Sequence, residues 1–390
     1  MKNISLILIL FCVFFKTNTK AQNLIQLSEN TKIALVTVAA GLEVNDTFGH
    51  TLLWINDPDH RIDLAYNWGV YDFDTEGFYI KFIKGQLPYS LAVGEMYQYS
   101  GYYQEAQRNM SVQEFDLPLA EKQKIYELVE NNYLPQNRLY FYKFYTDNCA
   151  TRVLNILQKA CGKDFKLGNN PELSDSTYRY WMNKNLQTHQ WARLGMNLTL
   201  GLFADNKISE SGACYIPKNL SKALECATFK NKKIFNKPTY NLFEVPNPAQ
   251  SQSIPWYLHP LLILSILFLV GLFISIYESK NKKHLLWFDK IIFSIAGIIG
   301  WFLFALWFFT DHFTAKNNLN LLWALPFHLP IIWLISKNKL NSFYKNYFIL
   351  VSILLTISLW IVFQQNKDLL PFVALLLMRA FLLFKKKTVA

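Results

Sequence analysis

Residues 50–67 read HTLLWINDPDHRIDLAYN. Two β-favouring runs, His50–Asn56 and Arg61–Asn67, flank the turn-formers Asp57-Pro58-Asp59-His60, so the stretch reads as a β-hairpin. Centring the turn on Pro58-Asp59 sets His50 opposite Asn67, with Cβ atoms within about 5.5 Å across the ladder. Asp63 then opposes Trp54 on the same side, two pairs further along. His60 falls in the turn, exposed to solvent. A histidine on an otherwise apolar strand is either a satisfied core residue or a functional base. If it is a base, Asn67 is the better group to orient its ring and Asp63 the second choice. A register slip of one residue would put the pair on opposite faces.

The hairpin sits in a mixed α+β pattern. Lys32–Ala39 (KIALVTVA) is β-branched and reads as a strand, as do Tyr89–Tyr97 and Val112–Leu117. Thr75–Lys84 reads as a helix. Leu119–Asn131 carries Ile125, Leu128 and Val129 at helical spacing, and Cys149–Ala160 forms a second amphipathic helix ending at Gly162. Residues 22–165 form the core. Residues 166–246 are less regular, an extension with short helices near 175–185 and 218–227. Residues 247–255 (NPAQSQSIP) form a linker by composition.

The 390-residue chain is 52% hydrophobic and 17% charged, which excludes a disordered protein. Its net charge of +11 invites a nucleic-acid partner until it is divided along the chain. Residues 1–21 carry +3, residues 22–255 carry −1 and residues 256–390 carry +9. The polar part is neutral, so no nucleic acid is expected. Apolar runs at about 256–277, 285–309, 319–336, 346–363 and 369–384 each approach the ~20 residues that cross a bilayer. Lysines gather after the first (Lys280, Lys282, Lys283), third (Lys337, Lys339, Lys345) and fifth (Lys385, Lys386, Lys387) runs. The gaps between hold Asp311, His312 and Lys316, then Lys367 and Asp368. Positive-inside logic therefore places the polar domain outside and the C-terminus in the cytoplasm. Pro326 and Pro330 make the third run the weakest span. Residues 1–21 read as a secretory signal with cleavage before Gln22, the alternative being an uncleaved first membrane helix.

With Cys12 in the leader, Cys149, Cys161, Cys214 and Cys226 remain. No Cys or His spacing suits zinc. Cys214 and Cys226 flank a short loop, and in an oxidising compartment a disulfide between them is left open. Cys149 opens a helix behind Asp147-Asn148, either of which suits an N-cap. A first-turn cysteine meets free amides and the positive helix end, which favour thiolate. A nucleophilic thiol needs a base, and His50 is the candidate. The alternative is a buried, inert cysteine. Asp311-His312 reads either as an ordinary outer loop or as a headgroup or substrate contact. There is no phosphate-cradling Gly-rich loop, so no cofactor is expected.

In order along the chain, several stretches resemble the Lnb family of lipoprotein N-acyltransferases. They are Phe48-Gly49-His50-Thr51, Tyr66-Asn67-Trp68-Gly69, Lys81-Phe82 with Gly85, and Asp147-Asn148-Cys149-Ala150-Thr151-Arg152. Trp191 with Gly195, Leu198-Thr199-Leu200-Gly201, Thr310-Asp311-His312 and Asn320-Leu321-Leu322-Trp323 extend the resemblance into the membrane third. It implies a circularly permuted papain-like domain outside the cytoplasm, in which histidine precedes cysteine, followed by an all-α transmembrane bundle of about five helices. It implies Cys149 as nucleophile and His50 as base. Asn67 as third member rests mostly on the hairpin, and Asp311, His312 and Asn320 become possible substrate contacts. The implied activity is transfer of an acyl chain from a phospholipid donor to a lipoprotein acceptor at the outer face of a bacterial inner membrane. A thiol peptidase or amidase acting on cell-wall peptide is the enzymatic rival, and a non-catalytic envelope protein the other.

Overall fold

The computed structural model describes residues 24–248, 252–335 and 342–385, so the expected leader falls outside the described residues. β1 (Lys32–Val38), β2 (His50–Asp57) and β3 (Ile62–Val70) run antiparallel in sequence. The hairpin register differs from expectation by two residues, with Leu52 opposite Asn67 and Asp57 opposite Ile62. The cause is Asp57, which ends the strand instead of opening the turn. Its carboxylate accepts the Ser28 amide at 2.8 Å and the Ser28 hydroxyl at 2.7 Å, and His60 Nδ1 lies 2.9 Å away. The turn moves to residues 58–61, where Arg61 takes φ +55°. A shift of two preserves the pleat, so His50 and Asn67 still share a face, as diagonal neighbours.

β4 (Pro88–Glu95), β5 (Met110–Glu114), β6 (Leu139–Phe141) and β7 (Tyr240–Asn241) complete a seven-stranded antiparallel sheet in the order β7-β5-β1-β2-β3-β4-β6. Helix α1 (Phe78–Lys84) follows β3, and α2 (Met96–Glu105) follows β4 at once. A longer strand through Tyr97 was expected there, and MYQYSGYYQE carries no apolar period to announce a helix. α3 (Leu119–Tyr133) and α4 (Cys149–Cys161) form as the periodicity predicts.

Both sheet faces are covered. α2 packs Met96 and Tyr103 against Val36, Leu52 and Ala65. α3 and α4 bury Ile125, Val129, Val153 and Leu157 against Leu53, Ile55, Tyr66 and Trp68. The two aromatics keep their polar ends bonded: Tyr66 donates to Glu130 at 2.5 Å and the Trp68 indole to Asn132 Oδ1 at 2.8 Å.

α5 (Tyr178–Asn185), α6 (Gln190–Thr199) and α7 (Pro217–Glu225) belong to the extension. The membrane third holds α8 (Pro260–Asn281), α9 (Leu286–Phe308), α10 (His328–Leu334), α11 (Ser342–Gln365) and α12 (Leu370–Lys385). Three of these, α8, α9 and α11, are long and apolar enough to cross a bilayer. The expected continuous span over 319–336 is corrected to a 3-10 turn at Leu319–Leu322 followed by the short α10. The backbone there lies directly on α9: a Cβ on Gly300 would stand 2.1 Å from the Ala324 carbonyl, and Pro326 supplies no amide to a helix. At the far end of the bundle, the fully buried Arg379 of α12 binds Asp289 at 2.7 Å and Glu278 at 2.7 Å. Buried charge of this kind demands compensation by partners, and it ties α8, α9 and α12 together.

The extension docks the α/β domain onto the membrane helices. Arg179 grips Asp205 at 2.6 Å, and Asp205 also accepts from Gln365 of α11 at 2.8 Å. Arg193 meets Asp368 at 2.9 Å, and the Trp191 indole donates to the Leu258 carbonyl at 3.0 Å. Gly201 donates to the Thr314 carbonyl at 2.8 Å, and a Cβ on Gly201 would fall 1.7 Å from the Lys316 carbonyl. Gly201→Ala should therefore disrupt docking and cost on the order of 2–4 kcal/mol. Gly101→Ala, on α2 where a Cβ meets nothing within 4 Å, should be neutral or stabilising by ~0.5–1 kcal/mol. Thermal unfolding of the detergent-solubilised chain separates the two; equal midpoints would refute the close-approach argument.

Candidate active site

The start of α4 is built by its cap. Asn148, not Asp147, is the N-cap: its oxygen accepts the Thr151 amide at 2.9 Å, while Thr151 Oγ1 accepts the Asn148 amide at 2.8 Å. The Asn148 amide group donates to the carbonyls of Phe144 at 2.9 Å and Tyr215 at 2.8 Å, so the loop entering the helix is fixed. Asp147 instead holds Arg152 in a two-pronged pair at 2.6 and 2.9 Å. Cys149 is thus the first helical residue, and it is buried.

His50 begins β2 behind Gly49, whose φ is +75° and whose Cβ would lie 2.7 Å from the Val38 carbonyl. His50 and Asn67 point to the α2 face, while α4 packs on the other. The imidazole and thiol therefore meet at the end of the sheet where β2 begins. His50 Nε2 donates to Asn67 Oδ1 at 2.6 Å, which leaves Nδ1 for the hydrogen bond to Cys149. Asn67 is in turn hydrogen-bonded to the Tyr99 hydroxyl of α2. The amides of Thr51 and Ala150 point at the Cys149 sulfur.

Burial works against a thiolate at Cys149, but the charge and hydrogen bond of His50, with those two amides, outweigh it and lower the thiol's pKa. Burial likewise disfavours imidazolium at His50, but the charge and hydrogen bond of Cys149 and the bond to Asn67 raise its pKa. The other buried thiols go the opposite way: burial pushes Cys161 up to about 11 and Cys214 up to about 12. Cys214 is buried, Cys226 is exposed and both are free thiols, with no disulfide between them. Around the pair, Tyr103, Tyr140 and Tyr142 are raised by burial first and by the charge of Cys149 besides.

The remaining candidates fall elsewhere. Asp63 does not reach His50; it accepts from Trp54 at 2.7 Å and Asn56 at 3.1 Å. Asn320 lies where the extension meets the membrane domain. It is buried, it donates to the Leu198 carbonyl at 3.1 Å, and it accepts from Trp323 at 2.9 Å. Asp311 and His312 are bonded to α1 and the turn after it: the Asp311 amide donates to the Lys84 carbonyl at 2.8 Å, Gln86 donates to its carboxylate at 2.8 Å, and His312 Nε2 lies 3.3 Å from the Phe82 carbonyl. Sequence reading missed Thr51 and Tyr99. The first was signalled by standing next to His50; the second sits on the unannounced helix α2.

The loop before Cys149 rests on the membrane domain, with the Lys143 amine 5.9 Å from the Phe313 ring. Fold and site together define a membrane protein whose α/β domain carries a paired thiol and imidazole above its spanning helices. Residues 20–184 match the family model of the Lnb N-terminal periplasmic domain, and residues 250–388 that of the Lnb transmembrane domain. The chain belongs to the Lnb family, with its N-terminal domain in the periplasm. No curated protein and no solved structure matches it.

The pair predicts selective alkylation. At pH 6, iodoacetamide should modify Cys149 ahead of the exposed Cys226. The depressed thiol pKa means that reactivity is present above it and is lost as pH falls through it. His50→Ala should slow labelling of Cys149 at least ~10-fold at that pH and move its midpoint toward the ordinary ~8.5. Peptide mass mapping reads the outcome; labelling of Cys149 indifferent to His50 would mark a structural thiol.

Proposed function

We propose that this chain is a thiol acyltransferase that N-acylates the N-terminal cysteine of bacterial lipoproteins. The observation that carries the proposal is the Cys149–His50–Asn67 arrangement seated on a membrane domain. A helix-start cysteine bonded to a histidine that an asparagine orients is the chemistry of a papain-like centre, here in permuted order. In this reading the Cys149 thiolate attacks an ester carbonyl of a phospholipid. The carbon–sulfur bond forms, and amides around Cys149 and Ala150 receive the oxyanion. The ester carbon–oxygen bond breaks, and the His50 proton passes to the lipid alkoxide, which leaves as a lysolipid. The α-amine of the lipoprotein's first cysteine then attacks the thioester, His50 takes its proton, and Cys149 departs as thiolate. The thioester stores enough energy for the amide, so no nucleotide is required.

The topology supports access to lipid-anchored substrates. The start of α8 and the end of α11 meet α6 of the extension, through Leu258 and Asp368, and the end of α9 meets α1 of the α/β domain through Asp311. A chain leaving α9 on that side must return before α11 begins. Among the described residues three helices, α8, α9 and α11, are long and apolar enough to span; in this reading the broken segment through α10 and the 16-residue α12 are added as shorter crossings, which gives the five that the lysine pattern suggests. The residues 336–341 that join α10 to α11 lie outside the described residues.

Mass spectrometry of a lipoprotein's N-terminal peptide tests the proposal, in cells lacking native N-acylation that carry this chain. An added amide-linked acyl chain is expected with the intact chain and none with Cys149→Ala. His50→Ala should lower turnover by about 10²–10⁴-fold, the usual worth of a general base. A free amine in the presence of well-expressed intact chain would overturn the proposal and make cell-wall peptide cleavage the next assay.

A further inference from the structure

Helix α1 has no buried residue. Tyr79, Ile80, Phe82 and Ile83 are 54–75% exposed, a density of bare apolar side chains that soluble surfaces avoid. Yet the helix is firmly held. Its C-terminal carbonyls at Phe82 and Lys84 are bonded to His312 and Asp311, which directly follow the outer end of α9. At that same end of α9, Phe308 and Phe309 are 57% and 70% exposed. A helix pinned to the mouth of a membrane span lies where the lipid headgroups are. Lys81 and Lys84 suit that depth, their stems lying along apolar surface and their amines reaching phosphate.

A row of rings leads from this helix to the thiol. Phe73 packs on Phe78 at 4.9 Å between centroids, Phe78 on Tyr71 at 5.9 Å, Tyr71 on Tyr89 at 5.2 Å and Tyr89 on Tyr142 at 4.8 Å. Tyr142 and His50 then face each other across Gly69: a Cβ there would lie 3.9 Å from the Tyr142 ring and 4.0 Å from His50 Cε1. The missing side chain leaves the space between them clear.

We propose that α1 is embedded in the outer leaflet of the bilayer and that the ring row from Phe73 to Tyr142 guides a lipid acyl chain from that leaflet to Cys149. This rests on the acyl-transfer reading, and it commits to bilayer lipid as the occupant because the membrane span itself holds the helix.

Two measurements on the full chain in phospholipid nanodiscs test it. With a diazirine-bearing phospholipid, photoadducts are expected on the peptide covering residues 78–84, and with the diazirine at the chain terminus also on those carrying Tyr89 or Tyr142. Adducts confined to α8–α12 would overturn the proposal, as would protection of residues 78–84 by a second copy of the chain or another protein. Separately, an Ile80→Glu, Phe82→Glu double variant should slow acylation of Cys149 from bilayer phospholipid at least tenfold. Its acylation by water-soluble p-nitrophenyl butyrate and its labelling by iodoacetamide should stay within twofold of the unsubstituted chain. Equal loss on both esters, or no loss, overturns the path. If the unsubstituted chain forms no acyl-Cys149 from either ester, the acyl-transfer reading fails, while photolabelling still decides where α1 lies.

Discussion

A thiolate and an imidazolium buried side by side each carry a desolvation penalty that neither can meet alone. In this protein His50 draws the Cys149 thiol down and Cys149 draws the His50 imidazole up, each against its own burial, and the surrounding structure keeps the two within bonding distance. The Asn148 cap fixes where α4 begins, Gly49 fixes where β2 begins, and Asn67 with Tyr99 fixes the ring between them. The contrast with Cys161 and Cys214 makes the point: the same burial without an imidazole drives a thiol toward inertness.

The second organising constraint is the joint between the two halves. The segment from α5 to Asp205 is irregular yet tightly packed, because its buried Arg179 gathers the carbonyls of Asn197, Leu200 and Gly201 together with the Asp205 carboxylate. Those bonds shape the surface that receives Thr314–Asn318 and the end of α11. What reads as an irregular extension is the part that sets the thiol domain on the bundle.

Much of this was legible in the sequence and some was not, for identifiable reasons. Helices α3 and α4 announced themselves because one face of each is apolar. The pairing of His50 with Asn67 was legible through parity alone: the predicted register was off by two, since Asp57 prefers Ser28 to the turn, and the pleat forgives an even error. α2 was illegible because tyrosines and glutamines supply no period, and Tyr99 was lost with it. The third membrane run was legible as apolar and, through Pro326 and Pro330, as the weakest span, but where it breaks was not. Besides Pro326, the break draws on the Gly300 notch in a different helix, a contact between residues about 25 apart in the chain. Asn320 stands out in the sequence as a polar residue in an apolar run; only the fold shows it bonded to the Leu198 carbonyl and to Trp323.

The contact at Gly201, with no room for even a methyl group against Lys316, has a geometric consequence. A contact this close leaves no slack at the joint, and it sets the height of the Cys149 sulfur relative to the bundle. On the acyl-transfer proposal, selectivity among molecules drifting in the plane becomes a matter of reach: a group tethered at the matching height meets the thiol, and one carried higher or lower is passed by. The scaffold measures distance from the membrane before any side chain reads chemistry.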